Sequence, residues 1–438
     1  MWLLPVLSPV ATALTRTFYR LTRAGGSVPP AGPVLLVANH PNSLLDPAMV
    51  AVAARRPVCF LAKAPLFSDR LIGWLIRGAG AIPVYRHRDD PGSTTRNTEM
   101  FSAVRDALVE GSAVGIFPEG ISHSEPSLSI LKTGAARIAL EFAMATGTAC
   151  SVIPVGLVFR ARDQFRSEAM IIVGEAIAWS DLAGRDTSDA EAVRDLTARI
   201  DGALRKVTVN LEHWEDAPIV EFAEAIHAAE FGGPTDAAGQ VGRLHVTTGL
   251  LKQLRERDDP RWAPLAEDIA RHRRLLQRLR LRPAQLHGKA HAGEAIRWTV
   301  RQLPYSGIIP IVITTIGATL FWVPYRLTGE VAKRTAPQLD TVSTHKAMYG
   351  LVIFVAWILL VVAVTWMMAG ALWALGALVA LPLTGFAVLA VGERWRDAWG
   401  EAHRFVLRVR RGDLIVEMKR RQRELAERLE QIRKQHLD

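Results

Sequence analysis

Within Asn39-His40-Pro41-Asn42-Ser43-Leu44-Leu45-Asp46-Pro47, one imidazole and one carboxylate stand close enough to share a loop. A histidine takes a proton from an attacking hydroxyl near neutral pH. A neighbouring carboxylate fixes its tautomer and stabilises the imidazolium. His40 and Asp46 are therefore the candidate proton-handling pair, and the flanking prolines stiffen the loop between them. A structural role competes for Asp46: a carboxylate before a helix caps free N–H groups, and Pro47 suits a first helical position. The two roles are compatible.

Three further segments carry candidate residues. In Gly80-Ala81-Ile82-Pro83-Val84-Tyr85-Arg86, a strand runs into Arg86, whose planar fork matches phosphate oxygens, with Arg88 as the alternative. A surface ion pair is the competing role. In Phe117-Pro118-Glu119-Gly120-Ile121-Ser122-His123, Gly120 lets backbone approach a ligand, and Glu119 can bond an acceptor or orient a cation. His123 is either a second proton-handling group or a side chain satisfied within its turn. Lys132 precedes Thr133-Gly134 at a helix start, where an anion meets free N–H groups, and Lys63 ends another strand. For both lysines a solvated surface role is equally open. Cys59 and Cys150 belong to no CxxC pair and are expected as buried free thiols. His123 and Glu125 lack further ligands at useful spacing, so no metal is expected. A Gly-x-Ser-x-Gly nucleophile elbow is absent, which speaks against a serine hydrolase.

The elements that would position these residues alternate. Short β-branched runs are expected as strands at Val34–Ala38, Val58–Ala62, Ala81–Tyr85, Ala113–Phe117, Val152–Phe159 and Met170–Val173. Helices are expected at Pro47–Arg55, Leu66–Arg77, Arg96–Glu110 and Thr133–Ala145. That alternation predicts an α/β domain with a central sheet flanked by helices, spanning residues 31–185. Leu66–Arg77 carries an apolar stripe that fits either core packing or membrane docking.

The 438 residues carry a net charge of +10, with 49% hydrophobic and 22% charged residues unevenly distributed. No nucleic-acid module is evident, so the basic balance points to a lipid surface or phosphorylated substrates. Residues 1–30 are expected to hold an interfacial amphipathic helix, since their apolar run is too short to span a bilayer. Residues 186–302 turn helical and Arg-rich, as an extension packed on the first domain or lying along a membrane. Within 303–392, charge-free apolar stretches near 306–325, 349–369 and 371–391 are long enough to cross a bilayer, with Gly370 at a hairpin tip. Residues 393–438 read as a basic, solvated helix with Glu424/Arg428 and Glu430/Lys434 at i, i+4. The chain is expected to be an integral membrane protein with its α/β domain facing the cytoplasm. The number of crossings and the side of the tail stay open, because three crossings would separate the basic tail from that domain.

The order of these segments resembles the phospholipid and glycerol acyltransferase family, most closely its fungal-type glycerol-3-phosphate acyltransferases and their bacterial relatives. The resemblance covers about Pro33–Phe159, and the later apolar blocks fit the same subgroup. The family commonly separates its His and Asp by four residues; five intervene between His40 and Asp46, as in that subgroup. Glu119-Gly120-Ile121-Ser122-His123 resembles the subgroup's Glu-Gly-x-Ser-His, and Val152-Ile153-Pro154-Val155 resembles a fourth motif, a strand entering a turn. The resemblance implies transfer of a fatty-acyl group from acyl-CoA or acyl carrier protein to a hydroxyl of glycerol-3-phosphate, with no covalent acyl-enzyme and no cofactor. Lysophosphatidate or another lysophospholipid is the alternative acceptor; a non-enzymatic membrane scaffold is disfavoured. The implied partners are a glycerol-phosphate acceptor, the acyl donor and the bilayer. The roles carried over are base for His40, its orienter for Asp46, phosphate holder for Arg86 with Lys132 or Lys63, and substrate contacts for Asn42, Glu119, Gly120, Ser122 and His123.

Overall fold

The computed structural model describes residues 3–68, 73–85, 94–232, 237–257, 259–287, 308–336 and 338–437. Contacts divide the chain into two units. The first comprises Met1–Trp214, Pro234–Val246 and Pro337–Thr344; the second comprises Glu215–Gly233, Thr247–Ala336 and His345–Asp438.

The first unit opens with α1 (Leu4–Phe18), which runs directly into β1 (Tyr19–Gly25). There follow β2 (Val34–Ala38), α2 (Leu45–Ala54), β3 (Val58–Lys63), and the short helices α3 (Ala64–Phe67) and α4 (Gly73–Gly78). Then come β4 (Ile82–Val84), α5 (Thr94–Val109), β5 (Ala113–Ile116), α6 (Gly134–Thr146), β6 (Ser151–Phe159), β7 (Ser167–Val173) and α7 (Ala190–Val207). The seven strands form one mixed sheet in the order β1-β7-β6-β2-β5-β3-β4. Only β6 and β7 pair antiparallel.

All five residues of β2 are buried, because helices cover both faces of a largely parallel sheet. The carboxyl ends of β2, β3, β4 and β5 therefore share one edge, and the loops leaving it carry the candidate residues.

Several expectations need correction. β1 was not foreseen: Arg20, within the segment expected to hold an interfacial helix, is the second residue of a strand. The preceding α1 is docked on this unit, with Thr15 and Phe18 buried. Leu66–Arg77 is not one helix but α3 and α4, with residues 69–72 outside the described ones; a Cβ on Gly73 would lie 2.4 Å from the Phe67 carbonyl oxygen. Pro154 does not enter a turn. It lies inside β6 where the ladder to β7 ends, so its missing N–H costs no pairing on that side.

The limit expected at residue 185 also falls short. α7 turns Val193, Leu196, Ile200, Leu204 and Val207 onto the main core and packs against β6. Gly156 permits this approach, since a Cβ there would stand 1.8 Å from the Val207 carbonyl oxygen. Cys59 and Cys150 are buried and carry no disulfide.

The second unit holds α8 (Ala217–Phe231), the second half of α9 (Ala237–Glu256), α10 (Trp262–Arg278), α11 (Ile308–Thr335), all but the first turn of α12 (Val342–Ala369), α13 (Ala371–Arg410) and α14 (Gly412–Leu437). Among the described residues, three helical stretches are long and apolar enough to cross a membrane, Pro310–Thr335, Leu339–Ala369 and Ala371–Arg410, so the chain reads as a membrane protein. Each runs past its apolar block or starts before it, because helical hydrogen bonding does not stop where the apolar residues do. Gly370 separates the last two, as the sequence implies. The tail helix α14 is not simply solvated: Met418, Leu425, Ala426, Leu429 and Ile432 are buried, and it packs on α8 and α10. Arg428 accordingly pairs with Asp268 at 2.7 Å, not with Glu424, while Lys434 stands 3.9 Å from Glu430.

Candidate active site

β2 ends at Ala38, and Asn39 locks the exit of the strand. Its amide donates to the Leu157 carbonyl (3.0 Å) and accepts from the Leu157 N–H (2.8 Å), tying the loop to β6. His40 follows, its ring stacked 4.1 Å from that of Phe117 at 14°. The loop then turns through Ser43, which has a φ of +50°, and enters α2. Asp46 lies in the first turn of that helix, whose N-cap residue is Leu44 with no side-chain cap, so Asp46 is not the cap considered above. Its carboxylate instead faces back over the loop. Oδ2 stands 2.8 Å from His40 Nδ1 and accepts the Asn42 N–H at 2.7 Å.

Asp46 has no exposed surface, whereas the His40 side chain is 18% exposed. Burial pushes the Asp46 carboxyl up, and hydrogen bonds from His40 and the Asn42 amide pull it back. A carboxylate accepting from Nδ1–H leaves Nε2 of His40 as the basic nitrogen.

A second carboxylate organises the opposite side. Glu119 is buried; its Oε1 accepts the His40 N–H at 2.8 Å, and its Oε2 accepts the Ser129 N–H at 2.9 Å and bonds His123 Nε2. The Glu119 hydrogen bond raises the His123 pKa, and burial opposes it. Ser129 Oγ lies 2.9 Å from the same ring nitrogen, and the Glu125 N–H donates to His123 Nδ1 at 3.2 Å. The His123 N–H in turn donates to the His40 carbonyl at 3.2 Å. Ser122 Oγ accepts the Ser43 N–H at 3.1 Å. The two motif loops are thus latched at three points.

The structure brings His40, Asp46, Asn42, Glu119, Ser122 and His123 together and sorts their tasks. Asn42, expected against substrate, has no exposed surface and donates to the Tyr19 hydroxyl at 2.6 Å. Glu119 spends both oxygens on internal donors. These two are supports of the pair. Gly120, with a φ of +72°, carries the Lys132 side chain alongside it: a Cβ there would lie 2.7 Å from Nζ. Lys132 is exposed, and its N–H donates to the Pro118 carbonyl at 2.8 Å. Lys63 is exposed at the end of β3, in register with Val84 of β4. Arg86 and Arg88 lie outside the described residues.

Sequence reading missed two members. Tyr19 is buried between Asn42 and the Arg162 carbonyl, to which its hydroxyl donates, and burial pushes its phenol up. Arg162 donates to the carbonyls of Pro41 (3.1 Å), His123 (3.4 Å) and Ser124 (3.2 Å), stacks 5.0 Å from the Trp214 ring, and is lowered in pKa by burial. Ser343 bonds the Arg162 carbonyl and Thr344 reaches the Asn42 carbonyl at 3.5 Å, all within the first unit. No motif marks Tyr19 or Arg162, because both act across long stretches of chain.

The sequence profile of the family described as Acyltransferase matches residues 22–158. Glycerol-3-phosphate O-acyltransferase 2 of Saccharomyces cerevisiae is 32% identical over 194 residues, covering 43% of this chain and 26% of that protein. An uncharacterized acyltransferase of Schizosaccharomyces pombe is 24% identical over 371 residues, covering 63% of this chain and 54% of that protein. A 1-acyl-sn-glycerol-3-phosphate acyltransferase of Chlamydomonas reinhardtii is 32% identical over 149 residues, covering 34% of this chain and 41% of that protein. The chain spans from about a quarter to about half of the length of these relatives. The matched stretch carries His40, Asp46, Glu119 and Gly120, and residues 22–158 form a domain of the acyltransferase family.

Proposed function

We propose that this chain transfers a fatty-acyl group from a thioester to a hydroxyl of glycerol-3-phosphate, forming lysophosphatidate. The observation that carries the reading is the His40–Asp46 pair, in which the carboxylate holds Nδ1 and leaves Nε2 toward an acceptor. His40 Nε2 takes the hydroxyl proton as the oxygen attacks the thioester carbonyl. Asp46 stabilises the imidazolium that forms. The tetrahedral oxyanion collapses, the carbon–sulfur bond breaks, and the leaving thiolate takes the proton from His40. The donor, acyl-CoA or acyl carrier protein, arrives already activated, so the step draws on no cofactor. Lys132, Lys63 and Arg86 are the cations assigned to the acceptor phosphate, which aims the hydroxyl at His40. Such positioning contributes up to about 7–11 kcal/mol in ideal cases.

Likeness to the yeast glycerol-3-phosphate enzyme and the subgroup spacing between His40 and Asp46 support glycerol-3-phosphate. Likeness to the Chlamydomonas enzyme favours a second reading, in which 1-acylglycerol-3-phosphate is the acceptor. In either case the α/β domain would face the cytoplasm, from a chain held in the membrane by its apolar helices. Purified full-length protein is to be assayed with labelled acyl-CoA and acyl carrier protein against glycerol-3-phosphate, dihydroxyacetone phosphate and lysophosphatidate. Preference for glycerol-3-phosphate supports the first reading, and preference for lysophosphatidate replaces it. Transfer to none of the three would discard both.

A further inference from the structure

A cleft of about 830 Å³, with neither His40 nor Asp46 in its walls and Tyr19 at one end, lies on the side of the sheet where α1, β1 and α2 meet. Its walls include Arg16, Arg20, Arg23, Arg55 and Arg166, against one carboxylate, Glu168. That carboxylate is already shared: it stands 3.6 Å from Arg20 and 2.9 Å from Arg160.

Strand directions lay the cleft out. β1 runs parallel to β7, which is antiparallel to β6, so β1 runs opposite to β2. Tyr19 is therefore at the edge that carries His40, and Arg23 is near the opposite edge. α2 runs back the same way, from Asp46 to its C-cap Arg55. At 1.5 Å per residue these two positions are roughly 13 Å apart, which separates the far end of the cleft from the catalytic pair.

At that far end Arg23 and Arg55 crowd one another. Burial and the Arg55 charge both lower the Arg23 pKa, and Arg23 Nε is buried without a hydrogen-bond partner among the described residues. Clustered guanidiniums short of carboxylates are an anion site, and their forks match phosphate oxygens. The helix over the cleft points to the source of the anion. The first half of α1, Leu4–Val10, carries no charged residue, Val10 is exposed, and three stretches among the described residues are fit to cross a bilayer. An apolar helix beside a cationic cleft is the arrangement of a surface that meets anionic lipid.

We propose that this cleft binds the phosphate head group of an anionic membrane phospholipid, at a site separate from the His40–Asp46 pair. The inference goes beyond the transfer reaction and does not depend on it. Native mass spectrometry of the full chain in neutral detergent tests it without turnover. The probes are dioctanoyl-phosphatidylglycerol, dioctanoyl-phosphatidylcholine and, as soluble competitor, inorganic phosphate.

The anionic lipid is expected to bind about tenfold more tightly than phosphatidylcholine, and the pair Arg23→Gln/Arg55→Gln to lose about that factor. Arg55→Lys, which keeps the charge, retains the preference, and so does His40→Ala. Because Arg55 is exposed, Arg55→Gln alone gives a folded check and shows a smaller loss in the same direction. Equal binding of the two lipids overturns the proposal, as does undiminished binding by the double variant. Inorganic phosphate displacing the lipid at equal affinity would make the cleft a free-anion site and overturn the lipid assignment. Loss of the lipid in His40→Ala would locate the anion at the catalytic pair instead.

Discussion

His40 Nδ1 lies 2.8 Å from Oδ2 of Asp46, and that carboxylate is wholly buried, so the two nitrogens of the imidazole are not equivalent. Asp46→Asn keeps the volume but offers an amide where an acceptor is needed. The ring then turns its Nδ1 lone pair to the amide and carries its proton on Nε2, the wrong tautomer for a base. The turnover number is expected to fall on the order of 10²–10⁴-fold with little change in KM. His40→Ala should fall at least as far while the protein stays folded and in the membrane. Steady-state acyl transfer measures both, and near-wild-type turnover for His40→Ala removes the base assignment.

The His123 imidazole gives a pH signature. Its pKa is raised from 6.5 chiefly by the Glu119 hydrogen bond. A group raised on folding contributes stability that is full below the unfolded pKa and is lost as pH rises through the folded one. The melting temperature of wild type should therefore drop relative to His123→Gln as pH increases above 6.5. Scanning both proteins across this window checks the sign; a gap that widens with pH contradicts the assignment.

How much of this could be read in the chain depends on how local each signal was. β2 matches its expected limits, Val34–Ala38, because a run of five buried residues is a strong pattern. His40, Asp46, Glu119, Gly120 and His123 were legible since motif spacing places them on two loops. β1 was not, because Tyr19-Arg20-Leu21-Thr22-Arg23 mixes charge into a strand at the sheet edge, where one side needs no apolar residue. Asn42 looked like a substrate contact, because sequence shows proximity to His40 but not the direction of its side chain. Arg162 was invisible for a different reason: its partners Pro41, His123 and Ser124 are all main-chain carbonyls, which no residue pattern encodes.

Arg162 is expected to hold the geometry of the site without touching the reacting atoms. Arg162→Met keeps the stem against Trp214 but leaves the carbonyls of Pro41 and His123 without the guanidinium donor, while the Ser124 carbonyl keeps only the Trp214 indole N–H at 2.7 Å. The loss should be about 2–3 kcal/mol in stability, seen as a lower melting temperature. The turnover number should fall about tenfold with KM nearly unchanged, because the His40 loop loosens while the lysines stay in place. Arg162→Lys, a single donor group, should recover part of both. A variant that loses stability but keeps full turnover would make Arg162 a purely structural residue.

Gly120 and Lys132 supply the test of phosphate binding. Gly120 sits at a φ of +72°, and a Cβ there would meet Nζ, Cδ and Cε of Lys132 at 2.7, 2.9 and 2.9 Å. Gly120→Ala therefore acts twice. The left-handed backbone costs roughly 1–2 kcal/mol, and the methyl group displaces the lysine from the place it occupies beside the Glu119 loop. If Lys132 holds the acceptor phosphate, Gly120→Ala and Lys132→Ala should raise the acceptor KM by a similar factor, about tenfold for one charge-assisted contact. The double variant should then be no worse than the more impaired single one, since both remove the same contact. The acyl-donor KM should not move. An additive loss in the double variant, or a change confined to the donor, assigns the phosphate to Lys63 or Arg86 instead.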